Sequence, residues 1–436
     1  MAATDTIFAP ATGAGRAAIA VVRISGPATR DVLGTVAGRV PSPRVATLAT
    51  LRHAEDALDR ALVLWFPGPG SFTGEDAAEL QLHGGRAVVA AVLKALAAVP
   101  GCRPAEPGEF TRRALLNGKM DIGAVEGLAD LIDAQTEAQR RQALRHLDGA
   151  LGRWTETLRD DLLSALALAE GAIDFAEDDD LVASFEAEID RLVGGVSRVV
   201  AAELGREARG LRLREGLAVA IVGPPNAGKS TLLNALAGRD VAIVSAQAGT
   251  TRDVLTVDLD LGGYPVQLID TAGLRETEDD VEREGIARAR ARAASADLVL
   301  LLDDGRADPL PPAVTTSGTV WRIATKVDLA AGQGGDYAVS ARTGTGLDGL
   351  IAGLSRFAAE TLLPGEGAMV TRLRHRAALE AAQACLLRIA PAGQGRDLEL
   401  VAEDLRGAVA ALAGLVGRID TEAVLGAIFA RFCIGK

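Results

Sequence analysis

Gly223-Pro-Pro-Asn-Ala-Gly-Lys-Ser230 decides the reading of this chain. It matches G-x-x-x-x-G-K-[ST], between an apolar run, Leu217–Val222, that reads as a buried strand and a helical pattern opening at Thr231. Glycines at these positions let consecutive backbone N–H groups wrap phosphate oxygens, and the positive end of the following helix adds to the attraction. Lys229 is then placed to neutralise β- and γ-phosphate oxygens, and the Ser230 hydroxyl to bind Mg²⁺. Asn226, Ala227, Gly228 and Thr231 complete the phosphate-binding stretch.

Working outward, residues 217–358 alternate strand and helix patterns, which predicts a parallel α/β unit. Further strands are expected at Val266–Ile269, Leu298–Leu302 and Val320–Ala324. Each motif that follows sits where a nucleotide site needs it. Asp270-Thr271-Ala272-Gly273 closes a strand, so its carboxylate can reach Mg²⁺ through water and its glycine amide can meet the γ-phosphate. Thr325-Lys326-Val-Asp328 follows another strand, and Ser340-Ala341-Arg342 fits the loop that backs the base. Asp328 can accept from guanine N1–H and the 2-amino group. Adenine has neither donor and would leave the carboxylate unpaired, so GTP is expected over ATP. Between the first two strands lies Gly249-Thr250-Thr251-Arg-Asp253, where Thr251 is a second Mg²⁺ candidate, with Ser245, Ala246, Gln247 and Ala248 just before it also taken as nucleotide-binding.

The catalytic parts depart from the Ras-like plan. Leu274 follows the DTAG motif, where Ras-like proteins carry a water-orienting glutamine. Another polar group must place the water. Glu282, within Arg275–Glu284, is a candidate, and an exposed helix carboxylate is the alternative at that position. The amide oxygen of Asn226 is suited to hold a monovalent cation beside the phosphates, supplying charge that an arginine finger otherwise brings.

The rest of the chain limits the possibilities. Its 436 residues allow about two or three domains. A net charge of −12 confines any nucleic-acid contact to a local patch or a more basic partner. The start has no leader pattern and no run approaches ~18 apolar residues, so a cytoplasmic chain with no membrane span is expected. Cys102, Cys385 and Cys433 are far apart, which excludes a disulfide framework and a thiolate zinc site. Of 46 lysines and arginines only five are lysine (Lys94, Lys119, Lys229, Lys326, Lys436), which suggests positions where a compact ammonium is needed, with chance survival as the alternative.

Residues 5–100 read as an α+β domain, with strands at Ile19–Ile24 and Ala61–Phe66 and a helix at Ala87–Ala98. From Asp121 to Arg209 and again from Thr371 to Phe432 the texture is helical. Breaks are expected in the first stretch at Asp174–Asp180 and at Gly194-Gly195. The α/β unit is thus inserted between two helical halves. The expected division is 1–118, 119–214, 215–360 and 361–436.

Together with four segments outside the α/β unit, these motifs resemble the MnmE (TrmE) family of tRNA-modifying GTPases. The segments are DTIFAPATGAGRAAIAVVRISGP at the start, SFTGEDAAELQLHGG (Ser71–Gly85), PGEFTRRALLNGKMD (Pro107–Asp121) and FCIGK (Phe432–Lys436). The resemblance covers essentially the whole length. It implies a P-loop GTPase domain inserted into an all-α domain and preceded by an α+β, tetrahydrofolate-binding-like N-terminal domain that mediates homodimerisation. It implies folate contacts at Arg23, Glu79, Lys119 and Lys436, and K⁺ contacts at Asn226, Thr250 and the backbone at Ser245 and Gln247. It gives Glu282 the water-positioning role. The implied cofactors are Mg²⁺, K⁺ and a reduced folate (5-formyl- or 5,10-methylene-tetrahydrofolate). The implied partners are tRNA and the FAD-binding MnmG (GidA), in a heterotetramer-like complex that builds an aminomethyl or carboxymethylaminomethyl group at C5 of the wobble uridine. Cys433 is a possible functional thiol or a packed, shaping residue.

Three departures stand out. Thr325 replaces the family's usual asparagine, Gly13-Ala-Gly-Arg16 replaces a PPGR-like turn, and Asp304–Thr319 is short. The competing reading is a ribosome-assembly GTPase switch without folate chemistry, against which the N-terminal segments and the CIGK end argue. A non-catalytic scaffold is disfavoured by the intact Lys229, Ser230, Thr251 and Asp270.

Overall fold

The computed structural model describes residues 5–13, 15–224, 226–239, 241–243, 256–270, 296–305, 318–329, 334–363, 367–393, 396–417 and 435, with Asp270 described for its backbone alone. The chain falls into two compact units. One comprises Met1–Ala129, His146–Arg159 and Leu412–Lys436, the other Asp130–Arg145 and Asp160–Ala411.

The first unit is built on β1 (Thr6–Pro10), β2 (Ile19–Ser25), α1 (Thr29–Ala37), β3 (Thr47–His53), β4 (Asp56–Phe66), β5 (Ala77–His83), α2 (Arg86–Ala97), β6 (Cys102–Pro104) and α3 (Glu109–Leu116). The strands form one sheet in the order β3-β4-β5-β2-β1-β6, antiparallel except where β1 meets β6. Alternation sets its two faces. Val22, Ile24, Leu51, Val63 and Leu80 pack with Val32, Leu33, Val92 and Leu96 of α1 and α2. The residues between them, including Arg23, Glu79, Leu48 and Leu62, point to the other face. There Ile7 and Ala9 of β1 pack with the fully buried Phe110 of α3. The expected strand at Ala61–Phe66 is the second half of β4. Its polar first half pairs with β3 across a two-residue turn in which Ala54 is left-handed, φ 49°.

α4 (Ile122–Asp133), α5 (Glu137–Leu147) and α6 (Ala150–Asp174) follow. The second unit then contains α7 (Asp179–Leu204), α8 (Glu207–Glu215), β7 (Leu217–Val222), α9 (Lys229–Ala237), β8 (Thr256–Leu261), β9 (Tyr264–Asp270), β10 (Leu298–Asp303), β11 (Thr319–Ala324), β12 (Tyr337–Ala338), α10 (Leu347–Leu362), α11 (Leu373–Arg388) and α12 (Leu398–Ala413). Its sheet runs β12-β11-β10-β7-β9-β8. The near-continuous apolar strands LAVAIV and LVLLLD are what a sheet covered on both faces requires. Val219, Ile221, Leu268, Leu300 and Ile323 pack with Leu232, Leu233 and Leu236 of α9 and with Leu350 and Leu354 of α10.

The parallel pattern fails at one edge. β8 runs antiparallel to β9 because Gly262 and Gly263, with φ of 66° and 89°, make a two-residue hairpin between Leu261 and Tyr264.

The helices before and after the α/β unit pack with one another, as the insertion requires. Gln383 donates to the Ser197 hydroxyl at 2.8 Å, and a Glu203 carboxylate oxygen accepts from the amides of Met369 and Val370. The break at Asp174–Asp180 falls where α6 ends and α7 begins, with Asp178 accepting from the Leu181 amide at 3.1 Å. Gly194-Gly195 does not break the helix. Glycine costs only about 1 kcal/mol against alanine in a helix, and the buried stripe Ile189, Leu192, Val193, Val196 and Val200 holds α7 continuous through the pair.

Candidate functional site: a nucleotide cradle and a second charged cluster

The loop between β7 and α9 needs its glycines. A Cβ on Gly223 would stand 2.9 Å from the Leu302 carbonyl of β10, so a larger residue would push the loop away from that strand. Asn226 and Gly228 are left-handed, with φ of 60° and 97°, and asparagine is one of the few side chains that tolerate this conformation. The turn delivers Lys229 to the first residue of α9. Its ammonium donates to the carbonyls of Gly223 at 2.8 Å and Pro224 at 2.9 Å, on the inner rim of the loop. Ser230 stands in the helix's first turn, and the main-chain register sets Asp270 opposite Ile221 on the neighbouring strand. A hydroxyl and a carboxylate-bearing residue thus flank the same loop, and both are hard oxygen ligands of the kind Mg²⁺ takes.

The base side is tied to the phosphate side by Thr325. Its hydroxyl donates to the carbonyl of Ala227 in the phosphate loop at 2.8 Å, while its amide donates to the Asp303 carbonyl at 2.7 Å. A threonine therefore makes the cross-link between the two loops at this position. Lys326 has φ 57° and pairs with Asp304 at 2.7 Å. Asp328 accepts from the Ser340 hydroxyl at 2.6 Å and from Arg342 Nε and Nη2 at 3.0 and 2.6 Å. Those hydrogen bonds, Ser340's first and then Arg342's, hold its carboxyl below the usual aspartate range. At neutral pH it is a pure acceptor, as recognition of two ring-edge donors requires. A cavity of about 220 Å³ lies among Gly228, Thr231, Lys326, Asp328, Ala341 and Arg342.

Several site candidates fall outside the described residues: Ser245, Ala246, Gln247, Ala248, Gly249, Thr250, Thr251, Thr271, Ala272, Gly273, Glu282, Cys433 and Lys436.

In the first unit, Arg23 of β2 and Glu79 of β5 stand in cross-strand register and pair at 3.0 Å, each about a quarter exposed. The Arg23 guanidinium lies 5.3 Å from the centre of the Phe72 ring. Lys119 donates to the Pro69 carbonyl at 2.9 Å, so it holds the same β4–β5 loop that carries Phe72. Gly435 is buried, and a Cβ there would strike the Pro10 carbonyl. Pro10 ends β1 one residue past Ala9, the register partner of Arg23. Arg23 and Glu79 are thus linked through Phe72 to the loop that Lys119 holds, and through Ala9 and Pro10 to Gly435, the residue before Lys436. A paired cation and carboxylate beside an aromatic ring suit a ligand that carries both acceptor and donor groups.

The sequence reading missed the layer beneath this cluster. Arg113, 5% exposed, bonds Asp5, Glu75 and Glu109, while Arg103 bonds Asp5 and the 2%-exposed Glu109. Burial pushes the Glu109 carboxyl up, but the hydrogen bonds from Arg103, the Glu106 amide and Arg113 together bring it below its ordinary value. The i,i+4 spacing of Glu109 and Arg113 within PGEFTRRALLNGKMD was the available signal. Asp304 was also missed. It stands two residues past the expected strand Leu298–Leu302, where its carboxylate could have been matched to Lys326.

A glycine-walled loop closing on a helix that starts with lysine, beside a pocket headed by an ionised aspartate, defines a P-loop GTPase. Two family models cover nearly the whole chain: the N-terminus of the GTP-binding protein TrmE over residues 6–119, and the MnmE helical domain over residues 123–433. The chain is 54% identical to the tRNA modification GTPase MnmE of Beijerinckia indica subsp. indica, covering 100% of this chain and 97% of that one. It is 53% identical to that of Methylobacterium radiotolerans, covering 99% of each. The chain belongs to the MnmE family of tRNA modification GTPases. Among solved structures, the G domain of the T. maritima FeoB iron transporter aligns with 32% of this chain and 98% of its own, at 26% identity and a TM-score of 0.23, a likeness too slight to carry an argument.

Proposed function

We propose that this GTPase modifies C5 of the wobble uridine of tRNA together with the FAD-binding MnmG, in the cytoplasm and as a homodimer. A reduced folate supplies the one-carbon unit. The observation that carries this reading is the gathering of Arg23, Glu79 and Lys119 with the chain's end at Gly435. A GTPase acting as a switch alone has no use for such a cluster. In this reading Arg23, Lys119 and Lys436 face the folate carboxylates and Glu79 faces the pterin. The open sheet face bearing Leu48 and Leu62, 53% and 41% exposed, supplies apolar surface for pairing with a second copy.

In the second unit, Asn226, Ala227, Gly228, Lys229, Ser230 and Thr231 hold the phosphates. Thr325, Lys326, Asp328, Ser340, Ala341 and Arg342 hold the base. Ser230 and Thr251 bind Mg²⁺, with Asp270 to Gly273 closing on the γ-phosphate. K⁺ bound by Asn226, Thr250 and the carbonyls at Ser245 and Gln247 stimulates hydrolysis by offsetting transition-state charge, and Glu282 positions the water. The division into 1–118, 119–214, 215–360 and 361–436 belongs to the same proposal.

Nucleoside analysis of tRNA from cells lacking the protein tests it. Loss of the C5-modified wobble uridine is expected. Normal wobble uridine with defective ribosome assembly would replace this reading by the assembly-switch one.

A further inference from the structure

We propose that Arg342 is a positioning residue for guanine recognition, holding the Asp328 carboxylate in the plane that meets both donors of the base edge. The proposal rests on the reading of Asp328 as the base-recognition group. Asp328 needs such a support. The residue after it, Leu329, is 72% exposed, so no core packing fixes the turn from that side. Two polar side chains from one neighbouring loop do the fixing. Ser340 is buried and its backbone is held by Thr345 and Gly344, which makes it a rigid donor to Oδ1. Arg342 places Nε and Nη2 together on Oδ2. With one donor on each side, the rotation of the carboxylate about its own axis is set. Lys326 does not compete for it, since it is paired with Asp304.

Acceptor capacity sharpens the argument. A carboxylate offers about four lone-pair sites. Ser340 and Arg342 use three of them, and guanine brings two more donors. One Arg342 N–H must therefore yield when the base enters. The guanidinium side chain is 73% exposed, so water replaces that bond at little cost, while the remaining N–H keeps the orientation. The consequence is specific to the exocyclic amine. Guanine presents N1–H and the 2-amino group side by side, one to each oxygen. Hypoxanthine keeps N1–H alone and depends less on carboxylate orientation.

The test compares GDP and IDP affinities of the full-length protein, with steady-state GTP turnover, for wild type, Arg342→Ala, Arg342→Lys and Asp328→Asn. Arg342→Ala should weaken GDP by up to about fivefold, the scale of an exposed ion pair, and weaken IDP less, so that the GDP-to-IDP preference shrinks. KM for GTP should rise while kcat stays unchanged. Arg342→Lys should recover part of the preference, because a point charge restores attraction without the paired donors. An unchanged GDP-to-IDP ratio in Arg342→Ala, or equal weakening of both nucleotides with a fall in kcat, overturns the proposal. Asp328→Asn separates this from the underlying reading: if that variant keeps its preference for GDP over XDP, the base-recognition role of Asp328 itself is wrong.

Discussion

Among the described residues are two six-stranded sheets that present charged side chains in opposite ways. In the second unit's sheet, the candidate site residues sit at strand ends. β7 and β11 each deliver a short, contiguous motif into the loop that follows, so this cradle is assembled from local sequence. In the first unit's sheet, the candidate residues sit across strands. Arg23 and Glu79 are 56 residues apart and meet only through the pairing of β2 with β5. A site of strand ends can be recognised one loop at a time, whereas a site of strand faces exists only once register is set.

The comparison breaks first at the buried ion network around Arg113 and Glu109. Glu109→Ala takes from Arg113 its most buried carboxylate while Asp5 and Glu75 remain, so the loss should reach about 3 kcal/mol, the low end for breaking a buried pair. Hydrogen exchange of β1 and α3 amides should accelerate accordingly, while that of β7 and α9 stays as in wild type. Equal acceleration in both sheets would mean that the two units do not hold their stability separately. The pH dependence has a definite sign. Glu109 and Asp5 have carboxyls lowered below their ordinary values of 4.5 and 3.8. Their contribution is complete above those values and is lost as pH falls through the lower folded ones, so β1 and α3 should lose protection on the acid side first.

A smaller effect is expected at the cross-strand pair. Arg23→Ala should weaken reduced-folate binding by ~1.5–3 kcal/mol, the range for a hydrogen bond to a charged group, with GTP turnover unaffected. Calorimetry with 5-formyl-tetrahydrofolate reads this directly. Unaltered folate affinity would remove Arg23 from the site. Smallest is Gly195→Ala in α7. No atom lies within 4 Å of the added Cβ, so the change should stabilise by ~0.5–1 kcal/mol in urea unfolding. A destabilised variant would show that the helix uses the glycine.

How much was legible follows from the same contrast. Lys229, Thr325 and Asp328 were readable because each lies within a few residues of an apolar strand whose end fixes its position, and Ser340 because it opens the Ser-Ala-Arg motif. The antiparallel β8 is not legible in the strand–helix alternation around it, which favours a parallel sheet, although Gly262-Gly263 between apolar runs is a hairpin signal. Gly194-Gly195 misled for the opposite reason: a local helix-breaking signal was outweighed by an apolar stripe that makes sense only against the packed helices. The Arg103–Arg113 network stayed hidden because its members come from the chain's start, the β4–β5 loop, β6 and α3, and nothing local marks Asp5 or Glu75 as partners. Arg23, Glu79 and Lys119 were named through family resemblance, and their proximity became visible only with the sheet's register.

The central claim is that the second unit's strand-end loops build a guanine-specific nucleotide site around Asp328. The most direct measurement is the affinity of wild type and Asp328→Asn for GDP, ADP and XDP. Wild type should prefer GDP over ADP by a large factor, and Asp328→Asn should shift toward XDP, because an amide donor matches xanthine's extra carbonyl and faces guanine's donors with a donor of its own. Equal wild-type binding of GDP and ADP, or an Asp328→Asn variant that still prefers GDP, would contradict the account.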